Sequence, residues 1–190
     1  HFRFRYPTVH FELVLDNAAA VAEHVAAATL NIGYVLRRRG EHLPHARQLH
    51  VEELYREPFI LVCTRGYFNR AVSKEPSYQE LSRLDYITIT PDAETHLLSS
   101  WFRHHFKKVP ESPAVVLQAS TPAAVLAAVR AGLGCAVLPG SFITREISAG
   151  LLQPILPPSR AFTIPIAALA LRNKAASLSE QAFLSMVEKD

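Results

Sequence analysis

The chain has 190 residues, of which 49% are hydrophobic and 19% are charged, so it can bury a core and lacks the composition of a disordered segment. The 20 lysine and arginine residues exceed the 17 aspartate and glutamate residues by too little to indicate a nucleic-acid-binding surface. No apolar run approaches the roughly 20 residues of a membrane span, and the N-terminus lacks a signal-peptide pattern.

The first third of the chain predicts a strand, a helix and a second strand. Apolar residues alternate along Thr8–Leu15, which indicates a strand with one inward face. Asp16 or Asn17 can cap a helix over residues 18–28, and the apolar residues 30–36 predict the second strand. This order favours parallel strands joined by a right-handed crossover.

The middle of the chain continues the alternation of strands and helices. Leu49–Leu54 is predicted to be a connector and Thr64–Pro76 an irregular segment, because the latter contains glycine, asparagine and proline. The regular elements predicted here are a strand over Phe59–Cys63, a short helix over Tyr78–Leu84, a strand over Tyr86–Thr90 and, after a turn at Pro91, a helix from about Glu94 to Phe106.

Residues 115–139 predict a strand, a capped helix, a glycine turn and another strand. Val115–Leu117 is apolar, and Ser120 or Thr121 can cap a helix in which Pro122 takes the first position. Gly132 or Gly134 then ends the helix, and a second apolar run stops at Pro139. The elements predicted beyond are a helix over 141–148, strands over Leu151–Leu156 and Ile164–Leu171, and a closing helix from Ser177 or Ser179 through Met186.

This alternation predicts an α/β protein with two lobes, each an open mixed sheet flanked by helices, joined by two crossing segments. The first lobe would comprise residues 1–64 with 160–190, and the second would comprise residues 66–158. Ligands of open α/β sheets bind outside the strand ends, so the sequence predicts a binding cleft there.

The pair Ser120 and Thr121 has two interpretations. It follows a strand and precedes a helix, where free backbone N–H groups and the helix dipole favour a bound anion. The two hydroxyls could equally serve only as caps, and the spacing alone does not decide between these roles.

Motifs for catalysis, metals and cofactors are weak. The chain has no G-x-S-x-G elbow, no H-E-x-x-H and no G-x-G-x-x-G after a strand. Cys63 and Cys135 lie in apolar runs, which predicts inert buried thiols in a reducing, cytoplasmic compartment rather than a disulfide framework or a nucleophile. His104 and His105 point about 100° apart on a helix. They lack an accompanying ligand pattern, so neither a metal site nor a cofactor is predicted.

Several segments resemble the effector-binding domain of LysR-type transcriptional regulators. Residues 129–139 resemble the family pattern V-x-x-G-x-G-I-x-x-L-P, with Cys135 in place of the isoleucine. Residues 2–13 resemble F-x-x-x-Y-P-x-V-x-L-x-L, and residues 54–62 resemble L-x-x-E-P-L-x-L-V. The segment LNIGYV resembles L-D-L-A-I, with Asn31 in place of the aspartate. The family's H-P-L-A motif is absent, and the residues RGYF stand in its place.

The resemblance implies the sensor of a bacterial transcriptional regulator, with two lobes like those of type 2 periplasmic binding proteins. It implies a small, commonly anionic metabolite bound between the lobes. It also implies a homodimer, or a tetramer in the full-length protein, in which the helix starting at Ala18 meets the partner's helix starting at Pro122. The matching ligand-binding positions are Asn17, Thr90, Pro91, Ser120, Thr121 and Pro139.

The family's winged helix-turn-helix, through which it binds DNA, has no counterpart in these residues, and neither does the first strand of its ligand-binding domain. Two alternatives stay open at this point: a solute-binding protein of a transporter and a small α/β enzyme. The free cysteines and the glycine pattern favour the regulator over the transporter protein. The lack of a nucleophile–base pair counts against the enzyme.

Overall fold

The computed structural model of the protein describes residues 2–37, 40, 42–89 and 95–187. Its regular elements, in chain order, are α1 (Phe2–Arg5), α2 (Ala18–Ala26), β1 (Ile32–Leu36), β2 (Leu49–Cys63), α3 (Arg65–Ala71), α4 (Tyr78–Leu81), β3 (Asp85–Ile89), α5 (Thr95–Phe106), β4 (Ala114–Ala119), α6 (Pro122–Arg130), β5 (Ala136–Pro139), α7 (Gly140–Ser148), β6 (Gln153–Pro154), a 3-10 turn (Pro158–Arg160), β7 (Phe162–Leu171) and α8 (Leu178–Val187). None of these helices is long and apolar enough to cross a membrane. The contacts divide the chain into two compact units, His1–Arg56 with Ile164–Asp190, and Glu57–Thr163.

The first unit is built on the antiparallel pair of β1 and β7. Their register runs from Ile32 opposite Ala170 to Leu36 opposite Ile166. The amphipathic helix α2 covers this pair, and Gly33 allows the close approach, since a Cβ there would lie 2.5 Å from Cγ1 of Val21. The buried residues of this core are Val21, Ala22, Val25, Val35, Leu43, Leu49, Ala167 and Leu169.

Helix α8 is held in the first unit by a carboxylate at its start. The side chain of Glu180 accepts hydrogen bonds from Asn31, from Lys174 at 3.0 Å and from the backbone N–H of Ser177 at 2.6 Å. Desolvation by burial raises the pKa of this carboxyl, but the hydrogen bonds together outweigh it and lower the pKa to about 2. The group is therefore ionised, and its contacts intact, throughout the neutral range.

The second unit contains a mixed sheet. Strands β4 and β3 are parallel, and a parallel bridge between Tyr86 and Cys135 joins β3 to the start of β5. The second half of β2 pairs antiparallel with β5 on one edge and with β6 on the other, so that Val62 faces both Ala136 and Pro154. The sheet order in this unit is therefore β4-β3-β5-β2-β6.

Helices cover both faces of this sheet. On one face, Val125 and Val129 of α6 and Ile143 of α7 pack against Val62 and Leu138. The ring of Tyr86 lies on the other face, 6.0 Å from that of Phe102 in α5. Both faces of β3 and β5 are buried, which explains why these two strands are short continuous apolar runs, whereas alternate residues of β4 are exposed.

Gly134 sets the distance between β3 and β5. A Cβ on this residue would lie 2.4 Å from the backbone oxygen of Asp85, closer than real contacts allow. The next residue, Cys135, donates its N–H to that same oxygen at 2.8 Å. Gly132, with φ of +77°, turns the chain back from α6 so that this approach can occur.

The predicted strand over Thr8–Leu15 is wrong, because the structure has no regular element there. Leu13 and Leu15 are 84% and 87% exposed instead of lying on an inward face. An extended segment becomes a strand only when a neighbour takes up its N–H and C=O groups, and no described strand pairs with this one. The expected parallel opening is therefore also wrong, since β1 pairs antiparallel with β7.

Three other predicted segments differ from the structure. Leu49–Leu54 belongs to β2. The first half of this strand is mostly exposed and carries many polar residues, so its sequence does not resemble that of a buried strand. Residues 65–71 form helix α3, because the hydroxyl of Thr64 accepts from the N–H of Tyr67 and caps the first turn despite Gly66. The strand expected over Leu151–Leu156 shrinks to β6, in which Pro154 has no N–H to extend the ladder.

The substitution Gly134→Ala tests the close approach at β3. We expect it to destabilise the second unit by about 1–3 kcal/mol, the usual cost of forcing extra atoms into a packed site. The matched control is Gly66→Ala, since nothing lies within 4 Å of a Cβ there and alanine favours the helix. Urea unfolding followed through Trp101, which is buried in the second unit, measures both. Equal midpoints for the two variants would refute the proposed constraint.

Candidate ligand site

The start of α6 carries a backbone hydrogen-bond donor that has no acceptor among the described residues. Thr121 is the N-cap, with φ of −137° and ψ of 147°, and its hydroxyl accepts from the N–H of Ala124 at 3.2 Å. Its carbonyl accepts from Val125 at 3.2 Å, and Pro122 has no N–H to satisfy. The N–H of Ala123 has no acceptor among the residues that the structure describes.

Ser120 adds a free hydroxyl beside that N–H. It follows the last residue of β4, it is exposed, and its hydroxyl contacts no described hydrogen-bond partner. Thr121 and Ala123 are exposed as well, so a solute can reach all three residues. This helix start therefore offers a small anion one backbone donor, hydroxyl groups and the positive end of the helix dipole.

Helix α7, which follows β5 in the same unit, has its own carboxylate at its start. Pro139 takes its N-cap position and provides no side-chain cap. Instead, Oε1 of Glu57 accepts from the N–H of Ser141 at 2.8 Å. Glu57 is only 4% exposed, and Gly140 allows the approach, because a Cβ there would lie 2.9 Å from Cγ of Pro58. Sequence reasoning missed this role of Glu57, for which the Glu-Pro of the family motif was the only signal.

Asn17 caps α2 in the first unit, as the sequence predicted. Its Oδ1 accepts from the N–H of Ala20 at 3.0 Å, while its Nδ2 donates to Oδ1 of Asp16 at 3.1 Å. Its side chain is thus committed to local bonds, and its contact with a ligand stays a prediction. Thr90 and Pro91, the remaining predicted positions, lie outside the described residues.

Thr88 is a buried hydroxyl that the sequence reasoning also missed. It is 7% exposed, and its Oγ1 has no described hydrogen-bond partner. It lines a cavity of about 10 Å³ together with Leu97, Leu98 and Val125. This volume suits at most a single water molecule, so the cavity is too small for a metabolite.

Burial shifts the pKa values of Cys135 and His105, two titratable groups of the second unit. Burial raises the pKa of the Cys135 thiol well above its ordinary value, and the charges of Cys63 and Asp85 raise it further. Burial also lowers the pKa of His105 to about 4, with smaller contributions from His104, Arg160 and Lys107, so the ring is neutral near pH 7. No group of three potential metal ligands occurs within the described ranges.

Sequence comparisons give one consistent result. The family model described as LysR substrate binding domain matches residues 1–190. A probable RuBisCO transcriptional regulator of Thalassiosira pseudonana is 24% identical over 157 residues, which cover 81% of this chain and 50% of that protein. The chain spans about half the length of the curated relatives it matches.

Solved structures agree with this family. The regulatory domain of CrgA, a LysR-type transcriptional regulator from Neisseria meningitidis, has a TM-score of 0.76 at 20% identity, covering 99% of this chain and 87% of that one. The CcmR regulatory domain of Synechocystis PCC6803, in complex with 2-PG, has a TM-score of 0.74 at 16% identity, covering 99% and 86%. The expected α/β fold of the type 2 periplasmic-binding-protein kind is therefore confirmed.

The capping role of Glu57 is testable by removing its carboxylate. We expect Glu57→Ala to destabilise the second unit by about 1–3 kcal/mol, because the N–H of Ser141 loses its acceptor. Glu57→Gln keeps an oxygen at that position and should cost less. Glu111→Ala, at an exposed position of the same unit, is the control and should stay within about 0.5 kcal/mol. Urea unfolding monitored by Trp101 fluorescence would contradict the role if Glu57→Ala behaved like the control.

Proposed function

We propose that this chain, which belongs to the LysR substrate binding domain family, senses a small anionic metabolite and thereby controls transcription by a longer regulator. The observation that carries this proposal is the exposed start of α6, where the N–H of Ala123 and the hydroxyl of Ser120 have no described protein partner. The α7 start is already neutralised by Glu57, so α6 is the better place for an external anion.

The contacts available at the start of α6 approach micromolar affinity for an anion but do not reach it alone. The helix dipole contributes about 0.3–1 kcal/mol, and each hydrogen bond to a charged ligand about 1.5–3 kcal/mol. A micromolar dissociation constant corresponds to about −8.2 kcal/mol, so three such contacts together with the dipole approach this value before the entropy of association is subtracted. Further contacts are therefore needed, and we propose Asn17, Thr90 and Pro91 for them on the family resemblance.

The relatives support a role in transcription over the two alternatives. The curated relatives are named as transcriptional regulators, and the CcmR domain was solved with 2-PG, which makes that compound a first probe for this chain. We propose that DNA is contacted by a part of the regulator outside this chain. We also propose a cytoplasmic location, which agrees with the two free thiols. The two compact units would then be the regulatory lobes of the family.

We further propose a homodimer that uses α2 and α6. The solvent-facing side of α6 is mainly of small residues, with Ala123, Ala124 and Ala127 exposed before Arg130, and Ala19 is exposed on α2 together with Glu23 and His24. Val25 and Val125 do not belong to this surface, because each is buried in the core of its own unit. Small side chains allow two helices to approach closely across a two-fold axis.

Ser120→Ala separates ligand binding from capping. The hydroxyl of Ser120 has no described partner, so we expect the stability of this variant to be unchanged. Its affinity for the anion should fall about tenfold or more, because one charge-assisted hydrogen bond is lost. Thr121→Ala should weaken binding and also cost about 1 kcal/mol of stability as a lost cap. Calorimetry with 2-PG and a panel of small carboxylates measures the affinities, with chloride as the ionic control.

The control substitution for binding is Ser148→Ala, at an exposed position in the last turn of α7. It should leave the affinity for every probe unchanged. If a probe binds the native chain and both Ser120→Ala and Thr121→Ala retain its affinity, the pair only caps α6 and the anion binds elsewhere.

Ala127→Glu tests the proposed dimer. A charged side chain on the exposed side of α6 should convert the dimer into a monomer, because its carboxylate would have to be desolvated in the contact. Ala175→Glu, also at an exposed position but outside both helices, is the control. Analytical ultracentrifugation measures the two species. A native chain that sediments as a monomer at high micromolar concentration, or a variant that stays dimeric, would contradict this interface.

A further inference from the structure

The register of β2 and β5, continued by one residue, places Cys63 opposite Cys135 in the second unit. Strands β2 and β5 are antiparallel, with Phe59 opposite Pro139 and Val62 opposite Ala136. The next pair in this register is Cys63 with Cys135. Residues that face each other across an antiparallel pair project their side chains from the same face of the sheet. The two thiols are therefore neighbours, although 71 residues separate them in the sequence.

The backbone hydrogen bonds of Cys135 show whether Cys63 and Cys135 form a hydrogen-bonded or a non-hydrogen-bonded pair of the antiparallel ladder. Its N–H donates to the oxygen of Asp85 at 2.8 Å, and its C=O accepts from Ile87 at 2.9 Å, so both groups point to β3. Neither points to β2, which makes the cysteine pair a non-hydrogen-bonded one. The Cα atoms of such pairs lie about 4.5 Å apart, inside the range of about 4.4–6.8 Å that a disulfide bridges.

The thiols are buried but not far from solvent. Both are free and fully buried. The Sγ of Cys135 donates to the backbone oxygen of Asp85 at 3.3 Å. Asp85, together with Tyr67 and Arg83, lines an open groove of about 440 Å³ on the same unit. A single residue therefore separates this thiol from the groove, which favours a small oxidant over a protein one.

We propose that Cys63 and Cys135 form a redox-active dithiol, which small hydroperoxides oxidise to a disulfide between β2 and β5. In the first step, the sulfur of one cysteine attacks the peroxide oxygen, the O–O bond breaks, and a sulfenic acid and water (or an alcohol) form. In the second step, the other thiol attacks the sulfenic sulfur, and the S–S bond forms as a second water leaves. The two sulfurs together lose two electrons to the peroxide oxygens, and the two thiol hydrogens leave as protons that end up in water, so no further reactant is needed.

Burial makes this reaction slow without preventing it. Desolvation raises the pKa of Cys63 to about 12, against a smaller lowering by the backbone N–H of Phe68, so little thiolate is present at neutral pH. Thiolate is the nucleophile in this chemistry, so oxidation should take minutes to hours rather than seconds. The disulfide would close a loop that contains α3 through α6, and so includes the candidate ligand site.

The test is peroxide treatment of the folded chain followed by alkylation in denaturant and measurement of the intact mass. The expected product has lost two hydrogens and takes up no alkyl group. After reduction with dithiothreitol, its two thiols take up two alkyl groups. Its melting temperature should exceed that of the reduced chain, since the bridge restricts the unfolded state. Met186, the only methionine, is the internal control for dose, and peroxide is increased until it gains one oxygen.

Single variants locate the reaction. Cys63→Ser and Cys135→Ser should give no intramolecular disulfide, and the remaining cysteine should be trapped by dimedone as a sulfenic acid. Where the serine variant does not fold, Cys63→Ala or Cys135→Ala replaces it, with circular dichroism as the check. A native chain that oxidises Met186 but keeps two alkylatable thiols overturns the proposal. So does a disulfide that links two chains, detected by non-reducing electrophoresis.

Discussion

The second unit depends on the close approach of two backbones at Gly134. No other residue type fits, because a Cβ would meet the oxygen of Asp85 at 2.4 Å. This approach lets Cys135 exchange hydrogen bonds with β3, and it thereby attaches β5, β2 and β6 to the parallel pair of β3 and β4. The glycine pattern of the family motif thus has a structural cause: one glycine turns the chain after α6, and the other admits the neighbouring strand.

The same sheet presents two helix starts that are treated differently. At α7 the protein supplies the negative group itself, since Glu57 is buried against the first turn. At α6 a neutral threonine takes the cap, and an adjacent serine and one N–H stay without described partners. The start of α7 therefore has a built-in carboxylate, whereas the start of α6 is neutral and exposed. This is the arrangement expected if only the start of α6 binds an exchangeable ligand.

Local sequence signals predicted most of the second unit and less of the first. The helices α2 and α6 could be predicted because a polar cap, alanine-rich turns and a glycine after the second helix are all encoded within a few residues. The α/β class followed from the alternation of such segments. The spacing of strand, cap and helix indicated Ser120 and Thr121, and the family resemblance added Asn17, Thr90, Pro91 and Pro139, whose ligand contacts stay predictions.

The failures concern features that depend on distant partners. The segment 8–15 has the alternation of a strand but finds no described neighbour, while the polar first half of β2 forms a strand although its pattern does not favour one. The role of Glu57 depends on a residue 84 positions later, and the burial of the Thr88 hydroxyl depends on the packing around a cavity that suits at most one water molecule. Periodicity and capping rules cannot predict the contacts of Glu57 or the surroundings of Thr88, because these rules relate only residues that are near in sequence.

The distance between Glu57 and Ser141 also has a consequence during synthesis. The apolar strand Phe59–Cys63 acquires its partner β5 only after some 80 further residues have been added. At about 5–20 residues per second, a ribosome needs roughly 4–16 seconds to add them. Throughout that interval the nascent chain carries an unpaired apolar strand edge, which is the feature that chaperones bind and that promotes aggregation. The contacts that make the finished sheet compact therefore leave its unfinished form open to misassembly during that interval.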